Sequence, residues 1–232
     1  MKPDLITLKA GNVDKSNREY YDWIAAKLYT AVLADTMDKM GHRNQIMRPE
    51  IRPLYPEAKI VGRAATLLAA DTYQMPQEPY KLEMVLLDDL KPAEVVVCRW
   101  LGTRPAAVWG ELLSTCAAAH GARGAIIDGY CRDSCSIAAM KFPVFALGLT
   151  PADSMGRSDI MAIRIPIQIG DALVNDGDLV VADYDGGVVI PQDIEDEVIR
   201  QAMEKVNGEN LVRNELAHGA SIQQVFRKYR IL

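Results

Sequence analysis

The segments EVVVCRW (94–100), WGELLSTCAAAHG (109–121), AIIDGYCRDSC (125–135) and VFAL (144–147) decide how this chain is read. The first is a short apolar, β-branched run and reads as a buried strand. Leu112 to His120 is rich in Ala and Leu, closes on Gly121, and reads as a short helix. Residues 125–128 form a second strand, Ser134 to Lys141 a second helix, and residues 144–147 a third strand. Strand, helix, strand, helix, strand predicts parallel strands joined by right-handed crossovers. Ligands in such sheets bind beyond the carboxyl ends of the strands. Trp109-Gly110-Glu111 and Gly129-Tyr130-Cys131-Arg132-Asp133 both fall at that edge.

The chemistry available there is specific. The amides of Glu111, Leu112 and Leu113 open a helix, lack intrahelical acceptors and carry the positive end of its dipole. They suit a small anion, and Gly110 lets backbone approach it closely. Arg132 adds a planar fork matched to a carboxylate. Asp133 and Glu111 are hard oxygen donors of the kind that hold Mg²⁺ or Mn²⁺. A 2-oxo acid fits such a site, because cation and guanidinium together stabilise a developing enolate. Each residue also has a purely structural reading: Arg132-Asp133 as a surface ion pair, Asp133 as a helix cap, Glu111 as a dipole partner, Gly110 as a turn.

Gly110-Glu111-Leu112-Leu113, with Glu111 followed after twenty residues by Arg132-Asp133, resembles the acid-x20-Arg-Asp signature of the metal-dependent pyruvate aldolases. These include the 4-hydroxy-4-methyl-2-oxoglutarate and 4-carboxy-4-hydroxy-2-oxoadipate aldolases. Their wider family also holds the regulator of ribonuclease E activity. The likeness extends to VLADTMDKMG (32–41), VGRAAT (61–66) and NDGDLVVADYDGGVVIP (175–191). It implies a single domain over residues 1–232 with a swivelling α/β/β layout of the phosphohistidine-domain type. It also implies direct metal ligation by Asp133 and water-mediated ligation by Glu111, where the aldolases commonly carry Asp. Arg132 would contact the pyruvoyl part, and the Gly110–Leu113 backbone the substrate carboxylate. Glu209, or alternatively Glu204, would reach the metal through water from a neighbouring subunit. The C-terminal helical region, 192–220, would pack on that neighbour in a trimer or hexamer. Two segments depart from the pattern. Residues 71–90 are longer and more polar, and Lys91-Pro92-Ala93-Glu94 replaces the usual Pro-Gly-Asp turn.

The chain has 232 residues, 49% hydrophobic and 25% charged, with a net charge of −5. This fits one globular domain and argues against a general nucleic-acid surface. No apolar run suits a membrane span or a signal-peptide core, so the expected location is the cytoplasm. Cys98, Cys116, Cys131 and Cys135 show no Cys-x-x-Cys spacing and read as space-filling thiols. His42, His120 and His218 are scattered.

Elsewhere, residues 17–40 read as one helix stopped by Gly41, residues 59–70 as a strand and residues 79–90 as a helix. Residues 71–80 form a loop expected near the site. Residues 161–169 and 179–182 are strand-like, and residues 183–187 form a turn into residues 188–190, preferred over a second metal site at Asp183 and Asp185. A long helix follows Pro191, with Gly208 as a candidate break.

Two functions follow from the resemblance. One is a divalent-metal lyase that releases pyruvate from 4-hydroxy-2-oxo acids, with oxaloacetate decarboxylation as a side activity. The other is a non-catalytic regulator that binds a ribonuclease. The regulator branch typically lacks the Asp after Arg, so Asp133 favours the lyase. A methyltransferase is disfavoured, because Gly121-Ala122-Arg123-Gly124 leads from helix into strand rather than the reverse. A Schiff-base aldolase needs a desolvated Lys, and Lys91 and Lys141 sit in polar or terminal settings.

Overall fold

The computed structural model describes residues 18–231. Two helices come first, α1 (Arg18–Lys27) and α2 (Thr30–Lys39), then β1 (Arg52–Pro53), β2 (Ile60–Asp71), α3 (Lys81–Asp88), β3 (Glu94–Leu101) and β4 (Ala107–Trp109). They are followed by α4 (Glu111–Ala119), β5 (Ala125–Cys131), α5 (Ser134–Met140) and β6 (Val144–Leu149). The remainder is β7 (Ser158–Ile163), β8 (Ile167–Ile169), β9 (Ala172–Val174), β10 (Leu179–Asp183), β11 (Gly186–Ile190), α6 (Glu195–Ala217) and α7 (Ile222–Tyr229).

One mixed sheet runs in the order β1-β6-β5-β3-β2-β10-β11, with β4 added to β5 and β7 added to β2. The expected parallel core is present: β3 pairs with β5 and β5 with β6, all parallel. It extends one unit further than the sequence reading joined it, because β2 also pairs parallel with β3 and α3 is their crossover. Helices on one face bury Leu86, Leu87, Ala117 and Ile137 against Val96, Cys98, Ile127 and Val144. On the other face Val95, Val97, Ile126 and Phe145 meet Ile167, Ile169 and Val174 of the β8–β9 hairpin. Strand residues of alternate parity thus feed two separate apolar layers, the helix–sheet–hairpin arrangement expected of an α/β/β domain. A third apolar cluster joins α1, α2 and α6 to β10 and β11 through Leu33, Met37, Val181, Val188 and Val198.

Three readings need correction. The single helix over residues 17–40 is two, separated at Leu28-Tyr29; its first residue lies outside the described range. Asp183 accepts hydrogen bonds from the Thr30 amide at 2.8 Å and the Thr30 hydroxyl at 2.6 Å, so the second helix starts anew on a tertiary cap. The strand expected over residues 161–169 is also two, β7 and β8, with Arg164 at positive φ between them. Gly208 does not break the C-terminal helix, which runs unbroken from Glu195 to Ala217. A further helix, α7, follows it.

The start of α6 is fixed by a buried ion pair. Glu195 is 1% exposed, accepts from Arg63 Nη2 at 2.9 Å and from the Tyr20 hydroxyl at 2.8 Å. Removing one partner of such a pair strands the other charge in a poorly solvated place. Glu195→Ala should therefore lower unfolding free energy by about 3–5 kcal/mol in a urea titration. A loss below about 1 kcal/mol would contradict this role.

Candidate functional site

The site lies where two strand-to-helix turns abut. Strand β4, to which the sequence reading assigned no element, pairs parallel with β5 through Ala107↔Tyr130 and Trp109↔Cys131. The Arg132 amide donates to the Trp109 carbonyl at 3.0 Å, which locks the two turns together. Inside the first turn, the Trp109 indole donates to Ser114 Oγ at 2.9 Å, and Ser114 Oγ donates to the Gly110 carbonyl at 3.0 Å. The α4 N-terminus is therefore held from within the core.

Gly110 matters here for space rather than for torsion. Its φ of −156° is ordinary extended backbone. A Cβ at that position would lie 2.9 Å from Asp133 Oδ2 and 3.3 Å from Arg132 Cγ. Asp133 Oδ2 in turn accepts the Glu111 amide at 3.3 Å. Asp133 does not cap its own helix through its side chain. Its backbone sits at φ 57°, which projects it from the end of β5. Asp tolerates this left-handed conformation better than most residues, and such outliers gather at functional sites.

Gly110, Glu111, Leu112, Leu113, Arg132 and Asp133 all line one cavity of about 320 Å³. The remaining wall is supplied by Ala107, Val108 and Trp109 of β4, by Tyr80, Glu83 and Met84 around α3, and by Asp153 and Ser154. Arg132 lies between two acids, 3.7 Å from Asp133 Oδ2 and 3.5 Å from Asp153 Oδ1. Asp153 Oδ2 accepts the Tyr80 hydroxyl at 2.8 Å. Burial and that bond to a carboxylate push the Tyr80 hydroxyl up to about 12. Burial alone would raise Asp153, but the Tyr80 hydroxyl and the Arg132 guanidinium hold it below the usual carboxylate value. The expected loop over residues 71–80 ends at Tyr80, whose φ of 61° turns the chain into α3.

Glu83, Asp153 and Tyr80 were not among the residues singled out from sequence. The readable signal for Glu83 was an acid at a buried helical position, between apolar Leu82 and Leu86. It is 5% exposed. Burial first, then the charges of Asp153 and Asp159, push its carboxyl up to about 8, with Arg132 opposing.

Two carboxylates at adjacent turns fit a hydrated Mg²⁺ or Mn²⁺, which needs only one or two protein oxygens and keeps several waters. Asp133 Oδ1 accepts from no donor among the described residues, and Glu111 accepts from the Thr115 hydroxyl at 2.7 Å. No group of three or more His, Cys, Asp or Glu is arranged as a metal cage among the described residues. Glu209 lies on α6, accepts the Tyr29 hydroxyl, and does not line this cavity of its own chain. Glu204 accepts from Arg200 at 2.6 Å on the same helix. The four cysteines are free. No helix among the described residues is long and apolar enough to cross a membrane.

Glu83 makes a pH-dependent contribution to stability. Between 4.5 and about 8 the folded chain keeps a proton that the unfolded chain releases. Stability due to this group therefore falls as pH rises through that window. Glu83→Gln should gain stability relative to the parent from about pH 5 upward and level off above about pH 8, by up to a few kcal/mol. Urea unfolding across that range measures it, and a pH-independent difference would refute the buried neutral acid.

The likeness to known proteins covers family and fold. The family model described as Aldolase/RraA, RraA-like, matches residues 30–189. A Halalkalibacterium halodurans protein named "Putative 4-hydroxy-4-methyl-2-oxoglutarate aldolase" is 30% identical over 76% of this chain and 79% of its own length. Legionella pneumophila DlpA is 26% identical over 86% of this chain; the match spans only 32% of DlpA. Among solved structures, an uncharacterized Pseudomonas syringae protein superposes with TM-score 0.80 at 26% identity, over 92% of this chain and 95% of that one. Streptomyces coelicolor RraAS2, described as an unusual member of the RNase ES inhibitor RraA protein family, superposes with TM-score 0.74 at 26% identity, over 85% of this chain and 96% of its own. This chain belongs to the RraA-like, Aldolase/RraA family.

Proposed function

We propose that this chain is a divalent-metal-dependent lyase that cleaves 4-hydroxy-2-oxo acids to pyruvate and a second carbonyl compound. The observation that carries this reading is the convergence of the α4 first turn, Arg132 and Asp133 on one cavity. The aldolase names of several relatives support it. The amides of Leu112 and Leu113 and the Arg132 fork bind the substrate carboxylate. Asp133, with Glu111 through water, would hold Mg²⁺ or Mn²⁺, and the bound ion supplies Lewis-acid stabilisation of negative charge on the keto oxygen. Arg132 faces the same developing charge, and Asp153 and Tyr80 keep its guanidinium aligned. Trp109, Val108 and Leu113 limit the water that reaches it. In the substrate the 4-hydroxyl loses its proton and becomes a carbonyl. The C3–C4 bond breaks, its electron pair forms the pyruvate enolate, and C3 then takes up a proton. Oxaloacetate decarboxylation passes through the same enolate and belongs to this reading as a side activity. So does assembly into trimers or hexamers, with Glu209 or Glu204 of a neighbouring copy completing the metal's surroundings.

The likeness to RraAS2 favours a second reading, a non-catalytic regulator of a ribonuclease. Asp133 weighs against it. Purified protein with Mg²⁺ or Mn²⁺ should release pyruvate from a panel of 4-hydroxy-2-oxo acids, and a chelator should abolish the release. Arg132→Ala and Asp133→Ala should each lower kcat/KM by about a hundredfold or more, with stability within about 1 kcal/mol of the parent. Failure of every such acid to yield pyruvate, together with capture of a ribonuclease, would replace the lyase by the regulator.

A further inference from the structure

Glu83 stands apart from the other polar groups around the cavity because nothing holds its carboxyl. It is 5% exposed, and no described residue donates a hydrogen bond to it. The remaining polar groups are committed. Asp133 and Glu111 are assigned to the metal, Asp153 Oδ2 accepts from Tyr80, and Arg132 lies between Asp133 and Asp153. Glu83 also lines a second, much smaller void of about 10 Å³, together with Tyr80, Ser154, Ser158 and Asp159. That volume suits about one water molecule. Ser158 Oγ is buried there without a hydrogen-bond partner among the described residues. An orphaned hydroxyl beside such a void is the usual mark of an internal water. Glu83 thus lines both the substrate cavity and a one-water chamber.

We propose that Glu83 carries the proton between solvent and C3 of the pyruvate fragment, and that a water beside Ser158 renews it. This inference rests on the lyase reading above, in which the enolate takes up a proton at C3. It concerns the pyruvate half alone, and so does not depend on the distal half or on residues that a neighbouring copy adds at the metal. The Glu83 O–H bond breaks, and the C2=C3 electron pair of the enolate forms the new C3–H bond as the C2 carbonyl returns. Glu83 is left as a carboxylate and takes a proton from the water beside Ser158, which draws on solvent. The proton released earlier by the 4-hydroxyl offsets this uptake. The groups that face Glu83 are Tyr80, Cys98, Asp153 and Asp159, with Arg132 as the one cation. Burial and the two aspartates keep its proton on at neutral pH, and Arg132 steadies the carboxylate once the proton has left. Tyr80 holds its own proton too tightly for this step, and Asp153 holds none.

Exchange of the pyruvate methyl protons with deuterated solvent, in the presence of Mn²⁺, reads this step in reverse. In the parent the exchange rate should rise with pH through about 8 and level off above it, since the carboxylate is the base. Glu83→Gln should lower exchange by about a hundredfold and abolish that pH dependence. The same variant should release the second carbonyl product from a 4-hydroxy-2-oxo acid, in a single turnover, within about threefold of the parent rate, because cleavage precedes the proton step. It should also bind oxalate, an enolate analogue, within about threefold of the parent. Ser158→Val fills the small void. It should lower exchange by about fivefold or more with carbonyl release unchanged, because a proton that cannot wash out returns to C3. Exchange within about threefold of the parent in either variant overturns this inference and leaves the lyase reading standing. So does a parallel loss of carbonyl release or oxalate binding in Glu83→Gln, which marks a structural role. A parent protein that neither exchanges nor cleaves overturns the lyase reading and this inference with it.

Discussion

The architecture of the site depends on one close approach. Asp133 Oδ2 occupies the volume that any side chain at position 110 would need, 2.9 Å from where a Cβ would stand. From there it accepts the first amide of α4. A helix start and a strand end are thereby fused, and Leu112 and Leu113 of α4 line the cavity. The approach is possible because β4 lies in register beside β5 and the Trp109 carbonyl is tied to the Arg132 amide. Backbone hydrogen bonds at the sheet edge, with the Asp133 carboxylate added to them, hold the two turns together. Such support from rigid elements gives a site its geometric definition.

Around that junction the cavity is electrostatically strained. Arg132 is held between Asp133 and Asp153, while Glu83 is buried with like charges close by. Burying an acid among acids raises its pKa and lowers stability at neutral pH. A fold that keeps such a group in a cavity retains a cost that an apolar residue would remove. Titratable groups perturbed in this way concentrate at functional sites. By contrast, two of the other buried acids are neutralised on the spot. Asp128, at 0% exposure, is paired with Arg99 and with Arg48 at 3.2 Å, and Glu195 is paired with Arg63. Glu83 differs from them in having no cation of its own, and it differs in facing a cavity.

The parts legible in the sequence were those governed by local pattern. Apolar β-branched runs gave strands at residues 94–100 and 125–128, and an Ala-rich run gave α4 between them, because burial and chain propensity act within a few residues. Chain order then gave the parallel core, since a strand–helix–strand unit has one favoured hand. The errors came where a distant partner overrode the local pattern. The break between α1 and α2 follows no glycine or proline; Asp183, from β10, supplies the cap that restarts the helix. Strand β4 is three residues long and was invisible until its partner β5 was in place. Gly208 continues as helix because α6 is long and its packing outweighs one unfavourable residue of about 1 kcal/mol.

The sequence by itself determined the parallel core and the polar groups at its carboxyl edge: three turn amides, a guanidinium and two carboxylates within a span of twenty-four residues. These are close along the chain and joined by one crossover, so topology alone brings them to one edge. Only the tertiary structure decided what faces them. Tyr80, Glu83 and Asp153 come from segments on either side of that span, and they meet it because β2 pairs with β3 and residues 152–153 dock against β4. Contacts between sequence-distant segments are set by how apolar faces stack, and no local pattern encodes which polar side chains that stacking leaves in the cavity.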